Sequence, residues 1–249
     1  MSLCPDCIKG VKHEGTPTGK VEKIAGVNVY VALPENNANP DKAILFLPDV
    51  FGHALPNAQL LADDFANNGF ATYLIDLFQG DYLPADALST GFNIGAWFPN
   101  HGPEKVTPAI DAVYNALKEK GITRFGATGY CFGARYVFNY AFENKIQVSV
   151  TAHPSLLQVP ADIEKYLAVS KAPLLINSCT TDTQFPHEAQ AKTDEILGDG
   201  KFAPGYKREY WKGCTHGFAV RGDPSDPAVK AGKEGAFEAS VLRWFKQHL

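Results

Sequence analysis

A large charge of one sign is missing from this chain. Its 23 lysines and arginines stand against 27 acids, leaving a formal net charge of −4 over 249 residues. That balance gives no general handle for polyanions and points away from nucleic acid and from anionic membrane surfaces as partners. A disulfide framework is missing too. The five cysteines, Cys4, Cys7, Cys131, Cys179 and Cys214, are odd in number and irregular in spacing, unlike the paired sets of small secreted folds. The long apolar runs, such as 43–47 and 70–78, fall far short of the ~20 residues that span a bilayer. The first twelve residues have no apolar stretch of the kind a secretory signal needs. These absences predict a reducing, cytoplasmic setting. Internal repeats and low-complexity linkers are also lacking, so one domain over 1–249 is expected. Residues 1–20, rich in Gly, Pro, Thr and Lys, read as an N-terminal surface arm.

What is present is the composition of a folded enzyme-sized domain, with 45% hydrophobic and 20% charged residues. Strand and helix patterns alternate along it. Residues 27–33, 43–47, 70–77, 124–129, 148–152, 173–178 and 207–211 read as strands, several of them continuous apolar runs suited to a sheet covered on both faces. Residues 57–68 have helical spacing through Leu60, Leu61 and Phe65. Residues 108–120 read as a helix with Pro108 near its start and Gly121 after its end. Residues 134–142 and 234–248 complete the helices, the last carrying Phe237, Val241, Leu242 and Phe245. Such alternation predicts an α/β fold with a mainly parallel sheet and helices on both faces. Chemistry in such sheets sits at the carboxyl ends of the strands.

One motif falls at such an end. Gly129-Tyr130-Cys131-Phe132-Gly133 follows a strand and opens a helix, the G-x-nucleophile-x-G pattern of a nucleophile elbow. The glycines are physically required, because side chains two positions either side of the nucleophile would collide in so sharp a turn. The turn lifts the sulfur above the sheet and offers the Phe132 N–H to a developing oxyanion. The same helix end favours a thiolate. A buried cysteine is often only a small core residue. With 22 glycines and five cysteines in 249 residues, however, this motif is expected about 0.04 times by chance.

The acid and base of such a site follow the nucleophile along the chain, acid first. Four histidines lie downstream. His216, in Gly213-Cys214-Thr215-His216-Gly217-Phe218, follows the last strand, where a loop can fold back onto the sulfur. His153, in Ala152-His153-Pro154-Ser155, can line the pocket but comes too early to be the base. His187 reads as a surface or helix-start residue, and His248 as a solvated chain end. Asp182 follows the strand at 173–178. Taken alone it is an ordinary turn or capping aspartate; with Cys131 and His216 in order it becomes the orienting acid.

Other features carry less. Cys4-x-x-Cys7 with His13 lacks the second ligand pair a structural zinc site needs, so no metal is expected. Asp81-Tyr82-Leu83-Pro84 and Phe92-Asn93-Ile94-Gly95-Ala96-Trp97-Phe98 form an aromatic stretch, either a partial cover over the site or ordinary loop packing. Arg135 is read mainly as a structural ion pair, with an anionic substrate as the alternative.

Together these residues resemble the dienelactone hydrolase family (carboxymethylenebutenolidases), and its fungal and other eukaryotic members most. The resemblance runs over nearly the whole chain. It rests on Leu47-Pro48-Asp49-Val50-Phe51-Gly52, Ile75-Asp76-Leu77-Phe78, the elbow, Asp182 and His216-Gly217-Phe218. His13-Glu14-Gly15-Thr16-Pro17-Thr18-Gly19 is similar to the eukaryotic branch. The resemblance implies an α/β-hydrolase fold of about eight strands with an antiparallel strand pair at its start. It implies a Cys131–His216–Asp182 triad without cofactor, and the Val50 N–H as second oxyanion donor. Three differences stand out. Asp49 occupies the place of a glutamate that gates the cysteine in bacterial members. Gln79-Gly80 stands where they carry one substrate-binding arginine. Arg221 lies one position beyond the other. Arg221, Phe51, Tyr130 and Phe218 are the expected substrate contacts, and the expected ligand is a small, less polar ester or lactone bound by a monomer or homodimer. The competing expectations are a redox-responsive or ligand-binding protein using Cys131 without turnover, and an interaction module that keeps the fold without activity.

Overall fold

A computed structural model describes residues 15–36, 38–87 and 90–249. Eight strands form one sheet: β1 (Lys20–Ile24), β2 (Val27–Ala32), β3 (Lys42–Leu47), β4 (Thr72–Ile75), β5 (Arg124–Tyr130), β6 (Val148–Ala152), β7 (Leu174–Thr181) and β8 (Tyr206–Thr215). Their spatial order is β1-β2-β4-β3-β5-β6-β7-β8. The β1–β2 and β2–β4 pairs are antiparallel, and every later pair is parallel. The mainly parallel sheet expected from the alternation is therefore present, as is the eight-stranded α/β-hydrolase order with an antiparallel start that the resemblance implies.

The helices are α1 (Pro56–Asn67), α2 (Ile94–Trp97), α3 (Pro103–Glu119), α4 (Phe132–Phe142), α5 (Ala161–Val169), α6 (His187–Leu197), α7 (Phe218–Arg221) and α8 (Pro227–Phe237). Adjacent residues of β5 show how they divide between the two faces. Phe125 packs on Tyr114 of α3, with ring centroids 4.6 Å apart. The α-carbon of Gly126 instead faces Phe245 near the C-terminus, where a Cβ would lie 2.6 Å from the ring. Successive strand residues point to opposite faces, so α3 covers one side and the C-terminal helix the other. Phe65 of α1 joins that second layer, its ring tilted or edge-on against Phe46, Phe237 and Phe245.

Several boundaries differ from the sequence reading. Lys20 already pairs with Val31 in β1, and the Thr18 and Gly19 amides donate to the Asp63 carboxylate at 2.7 and 3.1 Å, so the expected arm ends before residue 18. Its first fourteen residues, with Cys4, Cys7 and His13, lie outside the described ones. Pro108 is inside α3, which begins at Pro103. Val106 extends the apolar stripe of Ile110, Val113 and Leu117 by a turn, and all four are fully buried. The last helix starts at Pro227, seven residues early, because Asp226 caps it by accepting from Ala228 and Val229. From Glu238 to Phe245 the winding widens to a π-helix. That extra residue per turn rotates the stripe, leaving Leu242 39% exposed while Val241 and Phe245 stay buried. His248 is not a solvated end: it packs on Trp244 at 4.5 Å, and burial lowers its pKa. Among the described residues, no helix is long and apolar enough to cross a membrane.

Candidate active site

The register of the central strands brings the site together. Leu47 of β3 pairs with Gly129 of β5, so the loops that follow, carrying Asp49-Val50-Phe51 and Cys131-Phe132, leave the sheet side by side. Cys131 has φ 50° and ψ −111°, a backbone state that costs on the order of 1–3 kcal/mol and needs its surroundings to hold it. Both glycines of the motif are enforced. A Cβ on Gly129 would meet Val137 at 2.6 Å, and one on Gly133 would lie 2.1 Å from the Leu47 carbonyl oxygen. The Cys131 amide donates to Ala152, and its carbonyl accepts from Ala134 and Ser155. Phe132 is the first residue of α4, so its N–H has no partner within the helix.

His216 directly follows β8. Its amide donates to Thr181 at the end of β7, which places its ring beside the loop that holds Asp182. The imidazole Nδ1 lies 2.9 Å from Asp182 Oδ1. That carboxylate oxygen also accepts from the Gln184 and Phe185 amides at 2.9 and 3.1 Å, so it is fixed before it meets the histidine. Burial alone would disfavour a charged His216. The facing Cys131, which also hydrogen-bonds it, and the Asp182 contact outweigh this and push its pKa up to about 10. A raised pKa of this kind suits His216 to take up and hold a proton beside the sulfur.

Asp49 and Arg221 form a second buried pair, Nε to Oδ2 at 2.7 Å. The other Asp49 oxygen accepts from the Phe51 amide, and the guanidinium lies over the Phe51 ring, 4.9 Å from its centroid. Burial raises the pKa of the Asp49 carboxyl; Arg221 opposes this, and the charge of nearby Cys131 adds to it. The Arg221 Nη1 and Nη2 atoms are buried without a hydrogen-bond partner among the described residues. Removing the cation alone, as in Arg221→Met, strands a buried carboxylate and is expected to cost about 3–5 kcal/mol. Asp49→Asn/Arg221→Met is expected to recover much of that loss. Urea unfolding midpoints check the pair; equal stability of single and double variants would contradict it.

The remaining residues form the walls. Tyr130 stacks on Phe46 at 4.8 Å. Phe218 and Tyr130 flank the buried ring of His153 at 5.5 and 6.0 Å, and His153 sits 5.0 Å from His216. Burial, with His216 and Arg221 nearby, holds the His153 pKa well below the usual value, so this imidazole is neutral. Trp97 donates to the Asp81 carbonyl and packs on Phe78 and Phe132, so the aromatic stretch does lie against the elbow. Arg135 pairs with Asp162 and does not join the site. His187 starts α6 and is exposed.

The sequence reading passed over Ser155. Its hydroxyl lies 3.3 Å from the Cys131 sulfur and 3.5 Å from His216 Nε2, and it is fully buried. The available signal was its place just past β6, in the same four-residue run singled out for His153.

A thiol beside a carboxylate-oriented imidazole, with a helix N-terminus at its back, is equipped for acyl transfer. Comparison with known proteins places the chain among hydrolases. The model of the dienelactone hydrolase family matches residues 27–249. Hydrolase pyvD of Aspergillus violaceofuscus is 36% identical over 244 residues, covering 98% of this chain and 96% of its own. Dienlactone hydrolase 1 of Gibberella moniliformis is 32% identical over 248 residues, covering 96% and 91%. The crystal structure of a dienelactone hydrolase-like promiscuous phosphotriesterase, P91 from metagenomic libraries, superposes with a TM-score of 0.69 at 18% identity, over 93% of this chain and 99% of that one. At that identity the likeness is one of fold. The match over residues 27–249, joined to relatives that align along almost their entire length, establishes that this chain belongs to the dienelactone hydrolase family.

Proposed function

We propose that the chain is a cysteine-dependent hydrolase of small carboxylic esters or lactones that works through a thioester. The observation that carries the reading is a cysteine held at positive φ on the elbow, in contact with a histidine that Asp182 orients. In the first half-reaction the Cys131 proton passes to His216 and the sulfur attacks the carbonyl. The Phe132 and Val50 N–H groups receive the oxyanion. His216 returns the proton to the leaving oxygen as the tetrahedral adduct collapses. Water then attacks the thioester with His216 as base, and Cys131 is regenerated.

The substrate end is read from Arg221 and Phe51. Two unused guanidinium nitrogens over an aromatic ring suit a carbonyl or carboxylate group of the ligand, with the ring covering an apolar part. Asp49 gates the cysteine through its own partner, Arg221, which a bound anion would draw away. Among the described residues, no group of three or more His, Cys, Asp or Glu that could hold a metal ion occurs, and the proposed steps use none. A reducing compartment such as the cytoplasm suits a nucleophile that works as a free thiol.

Sulfur leaves a tetrahedral adduct more readily than an amine does, so esters are preferred to amides. Wild-type enzyme is expected to cleave p-nitrophenyl acetate at least on the order of a hundredfold faster than p-nitroacetanilide, about 3 kcal/mol in barrier. Absorbance at the p-nitrophenol and p-nitroaniline bands measures both. Anilide turnover without ester turnover would overturn the assignment.

A further inference from the structure

We propose that Ser155 is a proton relay between Cys131 and His216, working beside their direct contact and adding one hydroxyl to the reacting centre. The inference rests on Cys131 being the nucleophile. Three observations carry it. The Ser155 hydroxyl touches both the sulfur, at 3.3 Å, and His216 Nε2, at 3.5 Å. The second distance is long for a bond between oxygen and nitrogen, as catalytic contacts often are before substrate tightens them. The Ser155 amide donates to the Cys131 carbonyl at 3.0 Å, so the two residues are tied through their backbones as well. The segment that carries Ser155 is strained on both sides: His153 has φ 39° and Leu156 φ 65°. Non-glycine residues avoid this region unless the surroundings enforce it, and such strain collects at functional sites.

The hydroxyl can bridge in either direction. With a neutral pair, the thiol S–H donates to Ser155 Oγ and the hydroxyl O–H donates to Nε2. In the transfer the sulfur loses its proton to Oγ while Ser155 gives its own proton to Nε2. The product is thiolate and imidazolium with Ser155 unchanged, its O–H now donating to sulfur and its lone pair accepting from Nε2–H. Every hydrogen bond is kept across the step, which matters in a site closed to water. His216 Nδ1 stays on Asp182 throughout.

The ionisable groups around this triangle are Tyr130, at the end of β5, and Asp49, His153, Asp182 and Arg221, from the segments following β3, β6, β7 and β8. A Ser155 substitution leaves all of them in place. The test is therefore the pH dependence of Cys131 alkylation by iodoacetamide, followed by mass spectrometry of the Cys131 peptide. It requires no ester turnover. Ser155→Ala is expected to move the midpoint up by about one pH unit and to slow alkylation at pH 6 about tenfold. It should also lower kcat for p-nitrophenyl acetate about tenfold with KM unchanged, and Ser155→Thr should restore most of both. Coincident alkylation profiles for wild type and Ser155→Ala overturn the relay even if the protein is an active esterase. A shifted profile in a protein without esterase activity keeps the relay and removes the substrate assignment instead. Should neither variant fold, a proton inventory on wild-type kcat/KM decides: a curved dependence on deuterium fraction shows two protons in flight, and a linear one excludes the relay.

Discussion

Cys131→Ala and His216→Ala are each expected to lower p-nitrophenyl ester hydrolysis to near the uncatalysed rate, a loss of about 10⁴-fold or more in kcat. The size follows from how the parts depend on one another. Without the sulfur no thioester forms, and His216 has nothing to deprotonate. Without the imidazole the thiol proton loses its Asp182-oriented acceptor in a buried site, where Cys131 and His216 are 0% and 2% exposed. Members of such a unit are strongly non-additive, so the double variant is expected to lose little more than either single one. Asp182→Asn tests the orienter separately. It preserves the shape of the contact at Nδ1 but favours the wrong tautomer, for which a loss on the order of 10⁴ is the precedent in triads of this kind. Full activity in Cys131→Ala would remove the nucleophile. Full activity in His216→Ala, with Cys131 still required, would call for a different base, and the neutral His153 imidazole 5.0 Å away is the first to examine.

The second large effect is expected from a single methyl group. Gly133→Ala would place a Cβ 2.1 Å from the Leu47 carbonyl oxygen and 2.8 Å from that of Pro48. Neither neighbour is a flexible side chain; both are backbone at the end of β3, so α4 must move away from the sheet. Overpacking of this kind costs about 1–3 kcal/mol, sometimes more, which lowers the melting temperature by roughly 3–10 °C in a chain of this size. Activity should fall further than stability. The displaced helix carries the Phe132 N–H, and a shift of about 1 Å at a reacting centre costs on the order of 10²-fold. Gly95→Ala is the control, since its nearest neighbour would be Asn93 Oδ1 at 3.4 Å. Melting curves and ester turnover on the three proteins settle it. Wild-type behaviour in Gly133→Ala would mean that the turn is not built as described.

Why the elbow was legible in sequence while other features were not has a physical basis. Its glycines are demanded by collisions that leave a fixed spacing, and the strand before it, buried from Phe125 to Tyr130, runs straight into the motif. Strand β1 carries no such mark. As a sheet edge it buries only Ile24 of its five residues, leaving Lys20, Val21, Glu22 and Lys23 with no inward face to pattern. The start of α8 was signalled by Asp226-Pro227, a cap followed by a helix-starting proline, but the apolar stripe begins later and drew the boundary with it. Leu242 shows a deeper limit: the widened turn that exposes it depends on how the C-terminal helix packs, and periodicity assumes a constant winding. At the site, Cys131, Asp182 and His216 were singled out by order along the chain. The Asp49–Arg221 pair spans 172 positions, and Ser155 reaches the sulfur across a parallel strand pairing. Contacts of that range leave no trace in local pattern, so neither could be read before the sheet was assembled.

The most direct measurement is to trap the acyl group. Enzyme mixed with p-nitrophenyl acetate, quenched in acid within one turnover and digested is expected to show a 42 Da adduct on the Cys131 peptide. Hydroxylamine at neutral pH should remove it, as it does thioesters, and it should be missing in Cys131→Ala. Ester turnover with no adduct on Cys131 under any quench time, or an adduct on another residue that forms and decays at the rate of turnover, would contradict the account.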